Sequence, residues 1–397
     1  MDPVALDAAD PLAHFRDRFV AADIVAYLDG NSLGRPLRVT RDNLVRFVDD
    51  VWGERLIRAW DEGWMETPTT LGDTIGRVTL GAAPGQTVVG DSTTVMLYKL
   101  VRAALDARPG RTELVLDTAN FPTDRYVLEG IAAERGATLR WIDADPASGV
   151  TAEQVAEVIG PRTAVVLLSH VAYRSGYLAD VPAITNAVHH AGALVVWDLC
   201  HSVGVVPLRL DEWNVDFAVG CTYKYLNGGP GAPAFAYVAT ALHDTARQPI
   251  QGWMGAADPF AMGPAYQPAA GIRQFVSGTP PVVGMLPMRD MLDLVDEAGI
   301  DAIRAKSTAL TSFVFDFFDE HLERLGVRVS TPREAEWRGG HVTLDHPAFR
   351  ELVPQLQKRG VIPDFRPPDG MRIGLSPLST SFTELAAGLR IVAETLT

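Results

Sequence analysis

The chain of 397 residues contains very little cysteine and no long apolar run. Its two cysteines, Cys200 and Cys221, are too few for a disulfide framework or a zinc cluster, so we expect no metal site. No segment approaches the ~18 consecutive apolar residues that a membrane span needs, which excludes a membrane partner. The first residues, MDPVALDAADPLAHF, lack the basic and apolar regions of a signal peptide, and a cytoplasmic location is predicted.

Positive charge is also in deficit, because lysine and arginine number 35 against 49 aspartates and glutamates, for a formal net charge of −14. This balance disfavours nucleic acid and anionic membranes as partners. With 47% hydrophobic and 21% charged residues, the composition is that of a soluble globular enzyme. A small-molecule ligand is therefore the expected partner.

Between about residues 87 and 240, strand-like apolar runs alternate with segments of helical periodicity that end in glycine. The runs are ELVLD, LRWID, TAVVLLSHV, ALVVWD and DFAVGCT. This alternation predicts an α/β fold with a largely parallel sheet and helices on both faces. In such sheets the ligand binds at the carboxyl ends of the strands, so the residues after each run are the candidates for ligand contacts.

Beyond about residue 282 the sequence changes to long amphipathic segments and short strand-like runs. We interpret this change as a second, smaller α+β domain. The predicted organisation is an N-terminal segment at 1–50 that packs near the small domain, a large domain at 51–282 and a small C-terminal domain at 283–397.

Several polar residues follow the predicted strands. Asp198 ends ALVVWD and is followed closely by His201, Lys224 comes after DFAVGCTY, and FPTD at 121–124 follows LVLDTA. Ser92, Thr93 and Thr94 stand at the start of a predicted helix, where hydroxyls and free backbone N–H groups can bind phosphate.

Together these residues match the needs of pyridoxal 5'-phosphate (PLP). This cofactor requires a lysine for a Schiff base, here Lys224, and a carboxylate against its ring nitrogen, here Asp198. Phe121 would stack on the ring. Singly, a lysine after a strand is usually a surface charge and an aspartate there a helix cap. Their joint occurrence favours the cofactor, and the absence of G-x-S-x-G disfavours a serine hydrolase.

Six segments resemble the kynureninase family, in the same order and over almost the whole chain. They are YLDGNSLGRPL (27–37), FPTD (121–124), DLCHSVGVVPLRLDEWNVDFAVGCTYKYLNGGPG (198–231), GWMG (252–255), SGTPP (277–281) and GVIPDFRPPDGMRIGLSPL (360–378). The resemblance implies a fold-type I PLP-dependent enzyme whose large domain has a mostly parallel seven-stranded sheet. It also implies a homodimer with shared active sites. The implied reaction cleaves Cβ–Cγ of L-kynurenine or 3-hydroxykynurenine by hydrolysis, giving anthranilate or 3-hydroxyanthranilate and L-alanine.

The resemblance also implies a role for individual residues. Lys224, Tyr223 and Asp198 would be catalytic. The implied cofactor contacts are Thr93, Thr94, Phe121, Asp124, Asp198, His201, Tyr223, Lys224, Trp253 and Thr279. Trp253 and Thr279 would come from the neighbouring subunit. The implied substrate contacts are Ser32, Trp64, Ala256 and Arg372, and Arg372 would grip the α-carboxylate, a task suited to a bidentate guanidinium.

One departure keeps a second function open. The family commonly has histidine after GWMG, whereas this chain has Ala256. The alternative is a related PLP enzyme of secondary metabolism that acts on a different amino acid, by β-elimination (a C–S lyase) or by decarboxylation-dependent deamination of a cysteine S-conjugate. Whether the pathway is tryptophan catabolism or antibiotic biosynthesis stays open as well. A non-catalytic binding protein on this fold is a third hypothesis.

Overall fold

The computed structural model describes all 397 residues, which form a large seven-stranded sheet, a smaller four-stranded sheet and a two-stranded pair. The strands are β1 (Ala26–Tyr27), β2 (Thr87–Gly90), β3 (Glu113–Asp117), β4 (Thr138–Ile142), β5 (Thr163–Ser169), β6 (Leu194–Asp198), β7 (Phe217–Gly220), β8 (Ala234–Val238), β9 (Arg328–Val329), β10 (His341–Asp345), β11 (Val361–Ile362), β12 (Asp364–Arg366) and β13 (Gly370–Gly374).

The large sheet has the strand order β2-β8-β7-β6-β5-β3-β4. The pairs from β4 through to β7 are parallel, and β8 is antiparallel to both of its neighbours. The five apolar runs of the sequence form β3 to β7. Most of these strands are buried along their length, because helices cover both faces of the sheet.

The helices are α1 (Pro3–Ala9), α2 (Arg38–Arg46), α3 (Thr67–Ile75), α4 (Thr93–Asp106), α5 (Pro122–Arg135), α6 (Ala152–Val158), α7 (Val181–His190), α8 (Val282–Ala298), α9 (Ile300–Phe317), α10 (Phe349–Lys358) and α11 (Phe382–Leu396). Their ends follow local sequence signals. Helix α5 begins with Pro122 and ends before Gly136, which has φ 65°. The long amphipathic stretch after residue 282 divides into α8 and α9 at Gly299, where φ is 78°.

The four-stranded sheet is antiparallel, with the order β12-β13-β10-β9. Its apolar side chains and those of α9, α10 and α11 form a core of their own. Helix α8 behaves differently, because Met285, Met288 and Leu292 belong to the core on one face of the large sheet. The domain boundary at 282/283 stays a prediction.

The N-terminal segment contacts both cores. Ala26 in β1 pairs in parallel with Val361 in β11, whereas Leu12 and Phe15 pack into the core of the large sheet. Near this segment Lys306 Nζ lies 2.7 Å from Asp10 Oδ2, with both side chains buried. These contacts hold the N-terminal segment against both the large-sheet core and the small-sheet core. None of the helices has the length and apolarity required to cross a membrane.

Candidate active site

Three residues from neighbouring strand ends meet at the carboxyl edge of the large sheet. Strand β6 ends at Asp198, whose carboxylate accepts a hydrogen bond from the backbone N–H of Cys200 at 2.8 Å. The turn after β6 carries His201, and the turn after β7 carries Lys224. Lys224 Nζ lies 2.9 Å from His201 Nε2. The structure thus brings Lys224 and His201 together at the edge of the sheet where ligands of such folds bind.

The His201 imidazole is buried among basic side chains. Burial first, and then the charges of Lys224, Arg372, His341 and Arg366, hold its pKa well below the ordinary value. Because this histidine is neutral, Nε2 can accept a hydrogen bond from the Lys224 ammonium. Its Nδ1 is buried without a hydrogen-bond partner.

The start of helix α5 contributes a carboxyl group and an aromatic ring. Asp124 is buried and its Oδ2 has no hydrogen-bond partner. Its pKa is raised well above the ordinary value, by burial first and then by the charges of Asp198 and Asp117, while Lys224 lowers it. Phe121 remains 37% exposed and meets Tyr173 edge-on, with ring centroids 5.4 Å apart. One face of this ring is thus available to a ligand.

The start of helix α4 has the features of a phosphate site. Ser92 caps the helix, its hydroxyl accepting from the backbone N–H of Val95 at 3.4 Å, and Thr93 and Thr94 form the first turn. A fourteen-residue helix directs its positive end at this point. Just before the cap, Asp91 pairs with the buried Lys99 at 2.5 Å, which fixes the approach to the helix.

The loop after β1 packs directly on the lysine segment. The backbone N–H of Gly34 donates to the carbonyl of Tyr223 at 2.9 Å, and a Cβ at Gly34 would overlap the carbonyl oxygen of Lys224. Burial first, and then the Cys221 thiol, raises the pKa of Tyr223 above its ordinary value, so the phenol is protonated at neutral pH. The segments YLDGNSLG and CTYKYLN therefore pack against each other in the fold.

The predicted carboxylate clamp lies on the small sheet and faces the same cleft. Arg372 is buried in β13, and its Nη2 donates to Ser32 Oγ at 2.8 Å. Its Nη1 donates to the carbonyl of Tyr173 at 2.8 Å, and its Nε donates to Asp364 at 3.0 Å. Because Tyr173 lies between β5 and α7, the guanidinium bridges the two sheets.

Two further site residues were missed from the sequence. His341 in β10 lies with its ring centroid 5.5 Å from that of His201, and both of its ring nitrogens are buried without partners. Burial, followed by the charge of Arg372, lowers its pKa to about 3. Asp364 in β12 is paired with Arg372. The strand pattern of GGHVTL places His341 and Thr343 on one face of the small sheet. No local sequence signal, however, predicts that β10 pairs with β13.

Four predicted residues are not brought to Lys224 within one protomer. Trp64 packs against Trp60 and Phe47, with ring centroids 5.3 and 5.6 Å apart. Trp253 is 41% exposed and meets Phe260 edge-on at 6.0 Å. The other two residues are the exposed Thr279 and the half-buried Ala256, which bridges to Pro268.

Comparison with known proteins places this arrangement in a family. The chain is 41% identical to the kynureninase of Pseudomonas fluorescens over 404 aligned residues, covering 100% of this chain and 95% of that protein. The chain belongs to the kynureninase family. Kynureninase from Burkholderia pseudomallei strain 1106a is likewise 41% identical, over 97% of this chain and 92% of that protein. The family resemblance inferred from the six sequence segments is confirmed.

Family models and solved structures agree with the fold of this kynureninase-family chain. Residues 303–392 match the kynureninase C-terminal domain, and residues 86–207 match the DegT/DnrJ/EryC1/StrS aminotransferase family. A C-DES mutant with glycine covalently linked to its PLP cofactor superposes with a TM-score of 0.85 at 18% identity, over 96% of this chain and 99% of that one. The cysteine desulfurase of Thermococcus onnurineus gives 0.81 at 17% identity, over 99% and 98%. The predicted fold class, fold-type I with a mostly parallel seven-stranded sheet, is confirmed.

Proposed function

We propose that this protein is a PLP-dependent enzyme that hydrolyses L-kynurenine or 3-hydroxykynurenine to the corresponding anthranilate and L-alanine. The observation that carries the proposal is that the loop after β1 contacts both Lys224 and Arg372. The backbone N–H of Gly34 donates to the carbonyl of Tyr223, next to Lys224, and Ser32 Oγ accepts from Arg372 Nη2. An amine and a guanidinium suited to a carboxylate therefore share one cleft, as an α-amino acid substrate requires. The relatives that bear the name kynureninase over the whole length point to the same reaction.

The residues of the cleft fit PLP. Asp124 Oδ2 and His201 Nδ1 are buried polar atoms without partners, which a polar ligand would satisfy. The helix start at Thr93 and Thr94 offers N–H groups and hydroxyls to a phosphate, and the free face of Phe121 offers a stacking surface. When bound, PLP supplies an electron sink for negative charge at the α-carbon of an amino acid.

Each protein group then has a task that its surroundings support. Lys224 would hold the cofactor covalently and move the proton at the substrate α-carbon. Asp198 would hold a proton at the ring nitrogen. The protonated Tyr223 phenol would donate to the γ-carbonyl oxygen and later to the departing carbon.

The proposed reaction is a hydrolysis. Water adds to the γ-carbonyl carbon, the Cβ–Cγ bond breaks, and a proton is delivered to the β-carbon. The aromatic carboxylate keeps the oxygen of water, and the three-carbon fragment leaves as alanine. Arg372 and Ser32 would fix the α-carboxylate throughout, so that the bond to be broken stays aligned with the ring.

Product analysis tests the proposal and its alternative. We expect the purified enzyme with PLP to convert L-kynurenine, 3-hydroxykynurenine or both to an aromatic acid and alanine. Formation of pyruvate and ammonia from a cysteine S-conjugate, without an aromatic acid from either kynurenine, would instead establish the C–S lyase.

The same assay tests Ala256 as a determinant of substrate choice. We expect Ala256→His to change the ratio of kcat/KM for L-kynurenine and 3-hydroxykynurenine by about 3- to 10-fold, because one hydrogen bond is worth about 0.5–1.5 kcal/mol. Ala257→His, at the exposed neighbouring residue, should leave the ratio unchanged. Equal ratios in all three proteins would remove Ala256 from the substrate site.

We also propose a homodimer in which Trp253 and Thr279 complete the site of the partner protomer. Exposed apolar residues support it, since Val48, Trp52, Leu56 and Ile57 are between 47% and 77% exposed. Large apolar side chains that are exposed close together in sequence favour an interaction surface in this part of the chain.

Complementation between inactive variants tests the shared site. Lys224→Ala and Trp253→Ala homodimers should both be inactive or nearly so. When the two chains are co-expressed, half of the dimers are hybrids with one intact site, so about one quarter of the parent activity is expected. No activity in isolated hybrid dimers, despite bound cofactor, would place Trp253 in its own protomer's site.

A further inference from the structure

The guanidinium of Arg372 has almost no donor left for a substrate. Nε and Nη2 both bond the same carboxylate oxygen, Oδ2 of Asp364, with the Nε distance at 3.0 Å. The second N–H of Nη2 is taken by Ser32 and one N–H of Nη1 by the carbonyl of Tyr173. Of five guanidinium N–H groups, a single one on Nη1 is unassigned. Two parallel N–H groups are needed for a bidentate grip on a carboxylate.

Asp364 is itself held by a second arginine. Arg366 Nη2 lies 2.9 Å from Asp364 Oδ2, and Ser32 Oγ donates to the same oxygen at 3.2 Å. Arg366 is the more exposed of the two arginines, with 35% of its side chain accessible against 1% for Arg372, and its Nε is buried without a partner. Arg366 thus has free N–H donors for the carboxylate of Asp364, which also binds Arg372.

The strand register arranges the three side chains for an exchange. Asp364 in β12 stands directly opposite Arg372 in β13. Arg366 follows two residues after Asp364, so all three lie on the same face of the sheet. Because β12 is the edge strand, Arg366 stands at the rim, farther from the centre of the small sheet than Arg372. Because both arginines already contact Asp364 Oδ2, a small rotation of the Asp364 side chain would release it from Arg372 while its contact with Arg366 is kept.

We propose that Asp364 occupies the carboxylate clamp of Arg372 in the substrate-free enzyme, and that Arg366 takes over Asp364 when an α-amino acid binds. This inference rests on the proposed function, which assigns the substrate carboxylate to Arg372. The exchange keeps the buried guanidinium paired in both states, so neither state contains an uncompensated buried charge. A ligand that lacks a carboxylate cannot replace Asp364 on Arg372. The exchange therefore favours ligands that carry a carboxylate.

The alternative is that Asp364 only orients Arg372, and charge-removing variants distinguish the two roles by sign. With L-alanine as the probe and the absorbance of bound PLP as the readout, Asp364→Asn should lower Kd by about 3- to 10-fold, because the clamp no longer has to be vacated. Arg366→Gln should raise Kd by a similar factor, since Asp364 loses its second partner. The double variant should bind like Asp364→Asn alone.

Two arginine variants serve as controls for these binding measurements. Arg366→Lys keeps the charge and should stay near the parent Kd, and Arg328→Gln, at a 75% exposed arginine of the same sheet, should have no effect. A raised Kd in Asp364→Asn, with cofactor content and thermal stability unchanged, would overturn the exchange and leave Asp364 an orienting group. If Asp364→Asn does not fold, an unchanged Kd in Arg366→Gln overturns it equally.

The readout also separates this inference from the proposed function. L-Alanine binding is measured without turnover, so the expected Kd changes can be found even in an enzyme that fails to hydrolyse kynurenine. Conversely, an active kynurenine hydrolase whose Asp364→Asn variant binds alanine more weakly would retain the function and lose the exchange.

Discussion

Replacing Lys224 by alanine is expected to lower kcat/KM for L-kynurenine by at least about 10⁴-fold, because in the proposed mechanism this side chain supplies both the covalent link and the proton transfer. The geometry permits no substitute at this position. The only other lysines are Lys99, Lys306 and Lys358, of which the first two are buried in ion pairs with Asp91 and Asp10.

Borohydride reduction of the holoenzyme, followed by peptide mass spectrometry, identifies the lysine that is covalently bound to the cofactor. This measurement does not depend on catalytic activity. The label should be found on Lys224 in the unchanged protein and on no lysine in Lys224→Ala. Lys358→Ala, at an exposed position in α10, is the matched control and should keep both activity and labelling. Labelling of another lysine in the unchanged protein would contradict the assignment.

The second large effect is expected for Asp198→Asn, with kcat lowered by about 10²- to 10³-fold. The amide oxygen can still accept from the backbone N–H of Cys200, so the fold of the turn is kept. The negative charge that would keep the ring nitrogen protonated is lost, and with it the capacity of the cofactor to accept electrons. The measurement is kcat at saturating substrate, together with the PLP content of the purified variant.

Asp216→Asn is the matched control, because this aspartate is buried to the same degree at the opposite end of the sheet. Asp216 directly precedes β7 and accepts from the backbone N–H of Val195 at 2.9 Å and from His189 at 2.8 Å. The control should lose about 1–3 kcal/mol of stability while keeping the kcat of its folded fraction. Equal kcat losses in both variants would indicate that Asp198 acts through stability.

Five of the seven strands of the large sheet could be predicted, because each of them has a local sequence pattern. Each of β3 to β7 is a short apolar run between turn or helix signals. Such a run is the sequence pattern typical of a parallel strand in the interior of a sheet. In parallel sheets of this kind, ligands bind at the carboxyl ends of the strands. This rule predicts that Asp198, His201 and Lys224 lie at the same edge of the sheet. The contact between His201 and Lys224 agrees with that rule.

The small-sheet side of the cleft could not be predicted in the same way. His341 meets His201 because β10 adopts one particular register against β13, and Asp364 meets Arg372 through the register of the consecutive strands β12 and β13. Register depends on the packing of the whole face and has no signature in either strand alone. The resemblance to the family identified Arg372, but the carboxylate that already occupies it became visible only in the structure.

The placement of Trp64 and Trp253 shows a further limit of the single chain. Both were expected near the substrate or cofactor, and both pack on other aromatic rings. The contact of Trp253 with the partner's site remains a prediction about the proposed dimer, and the substrate contact of Trp64 remains a prediction as well.

Hydrolysis of L-kynurenine in water enriched in ¹⁸O is the decisive test of the proposed reaction. Because water adds to the γ-carbonyl carbon, we expect anthranilate with heavy oxygen in its carboxylate and an equal amount of alanine whose carboxylate is unlabelled. Unlabelled anthranilate would contradict addition of water before Cβ–Cγ cleavage. Release of pyruvate and ammonia, with no aromatic acid, would contradict the proposed reaction as a whole.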